Sequence, residues 1–439
     1  MQVTLELILS VLMCCFVRFS SQCSNYGYPF ENHLATITPY RIVSNKSFER
    51  INFEGCTPKK IWLMARHGTR NPKYSLIEQM GSRLPQIKKL LLDGGSLPNE
   101  FIRNRDLDLL NKWKFNMDPD KHNKLTHEGE EEMLVLAERM QSRFPQLFDE
   151  VYSNTSYKFK YTHSQRTQKS AYYFTAGLFG KATAKDVWFP DPLKKDPILR
   201  FYKLCDRWNF EVKKNPAAQQ EVRIFESGPE MEATIRDVNK RLNLKENILE
   251  LDDVKLIYEM CSFETAWNKK SKSPWCAVLS QDNIKVLEYA KDLRYYWQDG
   301  YGHEITYKQA CPAFRDMINF LQSKNRFPRV IAYFTHSGTI LKLLAHLGLY
   351  KDSEHLTGKN YDSMGDRQWR TSLIDAFGSN VAFVVYGCGS EDKILTLHQE
   401  NIVRLPPCPD TDLCDLSLVR DYYFQSLDKC DFTSMCRVH

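Results

Sequence analysis

Arg66-His67-Gly68-Thr69-Arg70-Asn71-Pro72 sets a histidine between two arginines, directly after the apolar run Ile61-Trp62-Leu63-Met64-Ala65. Cations beside an imidazole lower its pKa and hold it neutral near pH 7. A neutral imidazole is a nucleophile, and two guanidinium forks match the oxygens of a tetrahedral dianion. This spacing describes a phosphate site that carries its own attacking atom. His67 is the candidate nucleophile, and Arg66 and Arg70 are candidate phosphate ligands.

Three segments share one order of events: an apolar or alternating strand, a polar turn, then a helix. The first is Ile61–Ala65 followed by the Arg66–Pro72 loop. The second is the alternating Tyr157-Lys158-Phe159-Lys160-Tyr161, then Thr162-His163-Ser164-Gln165-Arg166 and a helix through Leu178. The third is Val330-Ile331-Ala332-Tyr333-Phe334, then Thr335-His336-Ser337-Gly338 and a helix with Ile340, Leu343, Leu344 and Leu347 on one side. Apolar strands alternating with helices predict an α/β fold, a mostly parallel central sheet flanked by helices. Ligands of such sheets sit beyond the carboxyl ends of the strands. Arg66, His67, Arg70, Arg166 and His336 all fall at that edge, and their convergence carries more weight than any one motif.

Other elements frame the site. Thr126 is placed to cap a helix whose buried stripe is Met133, Leu136, Ala137, Met140 and Phe144. Val381–Tyr386 and Ile394–Leu397 read as a hairpin turning through Gly387–Ser390. Residues 185–300 are charged, helix-prone and poor in β-branched runs, with helices expected over Met231–Leu249 and Ile284–Trp297. They are assigned to a mainly helical cap inserted into an α/β core of residues 22–184 and 301–439. Ser75–Asn123, polar and read as irregular, is expected at the same rim.

The chain has 439 residues, 42% of them hydrophobic and 26% charged, enough to bury one large core or two smaller ones. Leu5–Val17 is apolar apart from Glu6 and Ser10, and Ser20 and Ser21 follow. Residues 1–21 thus read as a secretory signal, too short to span a membrane. The mature protein is then expected to be secreted or in the lumen of the secretory pathway. Two of the 13 cysteines, Cys14 and Cys15, lie in that segment. The remaining eleven show no metal-type spacing, so disulfides are expected, with one thiol left over. Asn45-Lys46-Ser47 and Asn154-Thr155-Ser156 are glycosylation sequons in that setting. The net charge of +6 suits an anionic substrate or ordinary solubility equally well. Positive charge is not clustered and no nucleic-acid reader motif occurs.

These residues resemble the histidine acid phosphatase branch of the histidine phosphatase superfamily, and within it the inositol polyphosphate phosphatases. The resemblance rests on Arg66–Pro72, on Leu125-Thr126-x-x-Gly129, on Arg166 with Ser170-Ala171-x-x-Phe174-x-x-Gly177, and on His336 at a strand end. It implies that His67 attacks phosphorus and becomes a phosphohistidine, and that Arg66, Arg70, Arg166 and His336 hold the equatorial oxygens. Phosphoryl transfer needs in-line positioning and neutralisation of spread charge, so no metal or other cofactor is expected. The implied substrates are small polyanionic phosphate esters, inositol polyphosphates above all, with 2,3-bisphosphoglycerate a further candidate. The resemblance also implies the disulfides Cys56–Cys388, Cys261–Cys276 and Cys408–Cys414, and one from Cys205 to Cys430 or Cys436; it leaves Cys23 and Cys311 unassigned.

One departure stands out. In this family an acid follows the strand-end histidine, immediately or after one residue, and protonates the departing oxygen. Here those positions hold Ser337 and Gly338, and a general acid typically contributes roughly 10²–10⁴-fold. Either another carboxyl supplies the proton, or the protein is a weakened or inactive phosphate binder. A zinc site from His67, His163 and His336 is disfavoured, because the arginines repel a dication and no acidic ligand accompanies them. Lys59-Lys60 and Lys169 either guide a polyanion inward or are solvated surface.

Overall fold

The computed structural model describes residues 30–93, 101–245 and 248–438. The expected signal segment, with Cys14, Cys15 and Cys23, lies outside them.

The centre is a seven-stranded sheet: β1 (Cys56–Arg66), β2 (Tyr157–Tyr161), β3 (Val330–Thr335), β4 (Asn380–Cys388), β5 (Glu391–His398), β6 (Asn401–Ile402) and β7 (Leu413–Asp415). Its order is β2-β3-β1-β4-β5-β6, with β7 also on β5. β1 and β2 both pair parallel to β3. β4 runs antiparallel to β1, and β5 antiparallel to β4, β6 and β7. The α/β architecture is as expected, but the parallel arrangement is confined to the site-bearing half. The reason is local: β4 and β5 are joined only by Gly389-Ser390, with Cys388 opposite Glu391, and a two-residue connection permits only an antiparallel pair. Gly389 has φ +64°, a backbone conformation that favours glycine at such a turn.

Both faces of the sheet are covered. Along β1, Ile61, Leu63 and Ala65 pack on one side with Met133, Leu136 and Met140 of α2 (His127–Arg143), with Phe144 just past its end, and with Phe174 of α3 (Gln165–Thr183). Trp62 and Met64 face the other side, in a second core shared with α4 (Leu251–Trp267) and α5 (Gln281–Asp299). This period-2 division of an uninterrupted apolar strand is why β1 sits in the middle. Among the described residues, 185–300 contains helices and turns but no strand. The helix expected to reach Leu249 stops at Arg241.

One expectation fails outright. Residues 74–93 are not irregular but form α1 (Tyr74–Asp93), whose Ile77, Met80, Leu84 and Ile87 are buried at helical spacing. Gly81 and Pro85 are poor helix residues, yet Pro85 lies within the helix, and the burial of the stripe offsets its lost hydrogen bond.

Five disulfides join ten cysteines: Cys56–Cys388, Cys261–Cys276, Cys408–Cys414, Cys205–Cys436 and Cys311–Cys430. The first three are as the resemblance implied, Cys205 takes Cys436, and Cys311 takes the remaining C-terminal cysteine. No helix among the described residues is long and apolar enough to cross a membrane.

Candidate active site

Strand register assembles the site. Arg66 is opposite Thr335 at the end of β1 and β3, and Tyr161 is opposite Phe334 where β2 ends. Three parallel strands therefore stop nearly level, and the residues just past their ends meet at one place. The His67 amide donates to Thr335 O at 3.1 Å, and the Thr162 amide donates to Phe334 O at 3.2 Å. His336 is the residue before α6 (Ser337–His346).

The loop that carries His67 is fixed by glycine against glycine. A Cβ on Gly68 would lie 2.4 Å from Gly129 O, and one on Gly129 would lie 2.3 Å from Thr69 O. The start of α2 therefore presses backbone to backbone on the loop. Thr126 caps α2 by accepting from the Gly129 amide at 3.3 Å, and its own hydroxyl donates to Thr69 O at 2.9 Å. Glu132 reaches back from the same helix and accepts from the Thr69 amide at 2.7 Å and the Thr69 hydroxyl at 2.8 Å. Burial raises this carboxyl to about 7, against the opposing effect of the Thr69 amide.

His67 is buried, with Nδ1 2.9 Å from Gly68 O. A carbonyl only accepts, so Nδ1 carries the hydrogen and Nε2 keeps its lone pair. Burial first, then the charges of Arg166, Arg66 and Arg70, hold its pKa well below the ordinary imidazole value. The ring is therefore neutral, as the flanking arginines predicted, although burial is the larger cause and Arg166 the foremost charge. The Arg66 guanidinium lies 4.7 Å over the Phe377 ring and donates to Thr36 O at 2.8 Å. Arg166 Nη2 donates to His336 Nδ1 at 3.3 Å, so His336 is protonated at Nε2, which donates to Thr162 Oγ1 at 2.8 Å. Burial and the same arginines, with Arg200, keep His336 neutral as well. The two imidazole centroids are 5.7 Å apart.

His67, Arg66, Arg70, Arg166 and His336 all line one cavity of about 420 Å³. Sequence reasoning missed six further cations on its wall: Lys73, Arg200, Lys203, Lys213, Lys291 and Arg294. They come from the approach to α1, from α5 and from residues 200–213, where no motif marks them. Among the described residues Glu259 is the only carboxylate on that wall, and it is paired with Lys291. The crowding of positive charge shows in its own members. Burial first, with Arg166 and Arg66, lowers Arg70 to about 9, and burial first, with Arg200, lowers Arg166 to about 10. Lys203 is lowered to about 8 by burial, then by Lys213 and Arg200. Such a cluster favours a multiply charged anion.

The other basic candidates lie elsewhere. Lys59 pairs with Asp392 at 2.7 Å, and Lys60 donates to Phe320 O at 3.2 Å. Both sit near the start of β1, at the end of the strand away from His67. Lys169 is exposed, stacked 5.5 Å over the Tyr172 ring. None lines the cavity. His163 is exposed, and no group of three or more His, Cys, Asp or Glu among the described residues is arranged to hold a metal ion.

Beyond His336, Ser337 lines the cavity and donates its hydroxyl to Asp375, which is fully buried after a short helical turn, Thr371–Ile374. A Cβ on Gly338 would lie 3.0 Å from Asp299 Oδ1, and Asp299 is paired with Lys342 of α6.

A neutral histidine in a pocket of arginines, at the ends of parallel strands, is the arrangement of a histidine phosphatase. Residues 59–405 match the family model of the histidine phosphatase superfamily, branch 2, and the chain belongs to that family. It is 33% identical over 398 residues to multiple inositol polyphosphate phosphatase 1 of Drosophila melanogaster, covering 88% of this chain and 83% of that one. It is 31% identical over 408 residues to the human protein of that name, covering 87% and 82%. A phytase from D. castellii superposes with TM-score 0.77 at 17% identity, covering 95% of this chain and 89% of that one. A Bifidobacterium longum multiple inositol polyphosphate phosphatase complexed with inositol hexasulfate does so with TM-score 0.66 at 15% identity, covering 88% and 96%. At those identities the superpositions speak for the fold alone.

Proposed function

We propose that the protein is a phosphomonoesterase that hydrolyses inositol polyphosphates through a phosphohistidine at His67. One observation carries the reading: a buried, neutral His67 faces a cavity walled, among the described residues, by nine Lys and Arg side chains and a single carboxylate. His67 Nε2 attacks phosphorus in line with the departing oxygen, while Arg66, Arg70 and Arg166 neutralise the equatorial oxygens. Water then attacks phosphorus from the side the alcohol has left, and His67 is regenerated. His336 has both nitrogens engaged, so before substrate arrives its role is to aim Arg166. Once Arg166 releases Nδ1, His336 donates to phosphate only in its other tautomer, with the hydrogen on Nδ1 and Nε2 accepting from the Thr162 hydroxyl.

Arg200, Lys203, Lys213, Lys291 and Arg294 line the same cavity but come from residues 200–213 and from α5, not from the strand ends. They suit the remaining phosphates of a polyphosphorylated ring, and they make 2,3-bisphosphoglycerate a smaller substrate of the same kind. The segment 185–300 would then act as the cap that carries most of the outer cations. Five disulfides support an oxidising compartment, secreted or lumenal. In that setting Asn154, exposed in a turn, is the better placed of the two sequon asparagines.

A second reading is favoured by Ser337-Gly338, where the family's acid is missing: a protein that holds inositol phosphates and turns them over weakly or not at all. Phosphate release from inositol hexakisphosphate by wild type and His67→Ala separates the two. Release that vanishes in the variant supports the enzyme, and tight binding without release supports the binder.

A further inference from the structure

Breaking a bond to an alkyl oxygen calls for a proton, and the carboxyl groups near the cavity are not equally able to give one. Glu259 is held by Lys291. Asp299 is held by Lys342 and does not reach the cavity wall. Asp375 is buried, and its Oδ2 takes the Ser337 hydroxyl hydrogen, while its Oδ1 has no hydrogen-bond partner among the described residues. Among the described residues, Ser337 and Arg66 are the two cavity-lining residues that touch Asp375, and of these Ser337 is the one bonded to its carboxyl by a hydroxyl.

We propose that Ser337 and Asp375 form a proton relay that replaces the missing acid. Ser337 is the catalytic donor to the departing oxygen, and Asp375 is the positioning acid behind it. The relay rests on the reading that His67 attacks a phosphomonoester.

The step balances. The His67 Nε2–phosphorus bond forms as the phosphorus–oxygen bond breaks, and that electron pair goes to the departing oxygen. The oxygen takes the Ser337 hydroxyl proton, and Ser337 Oγ takes the proton of Asp375. In the second half, water attacks phosphorus, the nitrogen–phosphorus bond returns its pair to His67, and the water proton passes through Ser337 back to Asp375.

The surroundings of Asp375 suit the role. Arg66 Nη1 from β1 lies 3.6 Å from its Oδ2 and stabilises the carboxylate left behind. Asp299, at the end of α5, opposes that charge. Burial outweighs Arg66 and the Ser337 hydrogen bond and raises Asp375 to about 7. When the carboxyl is neutral its hydrogen bond reverses. It donates to Ser337 Oγ, and the serine hydroxyl is free to point its own hydrogen into the cavity.

The test compares inositol hexakisphosphate, an alkyl ester, with p-nitrophenyl phosphate, whose departing oxygen needs no proton. The full chain is assayed as wild type, Ser337→Ala, Ser337→Thr, Asp375→Asn and the Ser337→Ala/Asp375→Asn pair, with His67→Ala as blank. The expected result is an alkyl-to-aryl rate ratio about 10²-fold lower or more in Ser337→Ala and Asp375→Asn. The pair should be no worse than either single, and Ser337→Thr should recover the ratio. In wild type the alkyl rate should fall as pH rises through about 7, and Asp375→Asn should lose that limb. A ratio that stays put, an additive pair, or wild type active on the aryl ester alone overturns the relay while leaving His67 as nucleophile. No His67-dependent release from either ester overturns the proposed function as well.

Discussion

Arg166→Ala tests the electrostatics on which the site depends. Arg166 holds His336 in place at 3.3 Å, and after burial it is the foremost cause of the low pKa of His67. A hydrogen bond to a charged group contributes about 1.5–3 kcal/mol, which corresponds to roughly 10–150-fold in kcat/KM. The upper end is expected, because His336 also loses its partner inside a buried site. The same change raises the pKa of His67, since one positive neighbour is withdrawn while burial, Arg66 and Arg70 still hold it below the ordinary imidazole value. Only neutral His67 can attack, so activity is lost as pH falls through that pKa, and the acid limb moves to higher pH. The assay is the pH profile of kcat/KM for p-nitrophenyl phosphate, which reports the free protein. Arg166→Lys should restore the limb while recovering only part of the rate, because an ammonium is not a fork. An acid limb that stays in place in Arg166→Ala, or a rate within about twofold of wild type, would refute the reasoning, since the hydrogen bond alone is worth more than that.

Three other perturbations probe the scaffold and the outer cavity. Gly129→Ala puts a methyl 2.3 Å from Thr69 O, a clash no rotamer relieves; overpacking costs about 1–3 kcal/mol, so a lower urea midpoint and a displaced nucleophile loop are expected. Glu132, raised to about 7 in the folded protein, holds its proton there at pH values where the unfolded chain, at about 4.3, has lost it. Folded wild type is therefore expected to lose stability as pH climbs through that window, and Glu132→Gln should flatten this slope in unfolding curves. Lys203→Ala is expected to raise KM for inositol hexakisphosphate by up to about fivefold, as suits a half-exposed charge contributing about 0.2–1 kcal/mol. Its KM for p-nitrophenyl phosphate should change less, and equal changes would place Lys203 outside the polyphosphate's reach.

The inner site was legible because its information is local. A two-sided apolar strand ending in Arg-His-Gly-x-Arg states both the position of β1 and the chemistry at its tip. The alternating β2 and the apolar β3 supply Arg166 and His336 by the same rule. The outer cations were not legible, since Arg200 and Lys203 meet Lys291 and Arg294 of α5 only through helix packing. Lys291 and Arg294 are three residues apart on one helix, a spacing that many solvated helix faces share. Likewise α1 was hidden by Gly81 and Pro85, whose local preference for a break is overridden by four buried apolar side chains. Asp375 left no trace at all, because its neighbour Ser337 is 38 residues away in sequence and the short turn that carries it has no motif.

The loss of an acid after His336 also has a spatial reading that sequence could not offer. The position at 338 does not face open space: a side chain there would begin 3.0 Å from Asp299 Oδ1 and 3.7 Å from Lys342 Nζ. Those two groups form a buried ion pair between α5 and α6. A carboxylate added at 338 would compete with Asp299 for Lys342, and like charges brought together out of water disfavour ionisation of both. Glycine at 338 thus leaves that pair intact, and it leaves Ser337, one residue earlier at the start of α6, as the polar group that reaches the cavity. The hydroxyl that lines the cavity and the carboxyl that lies behind it are in this way set by one packing solution, in which α6 is pinned by Lys342 on one side and by Asp375 on the other.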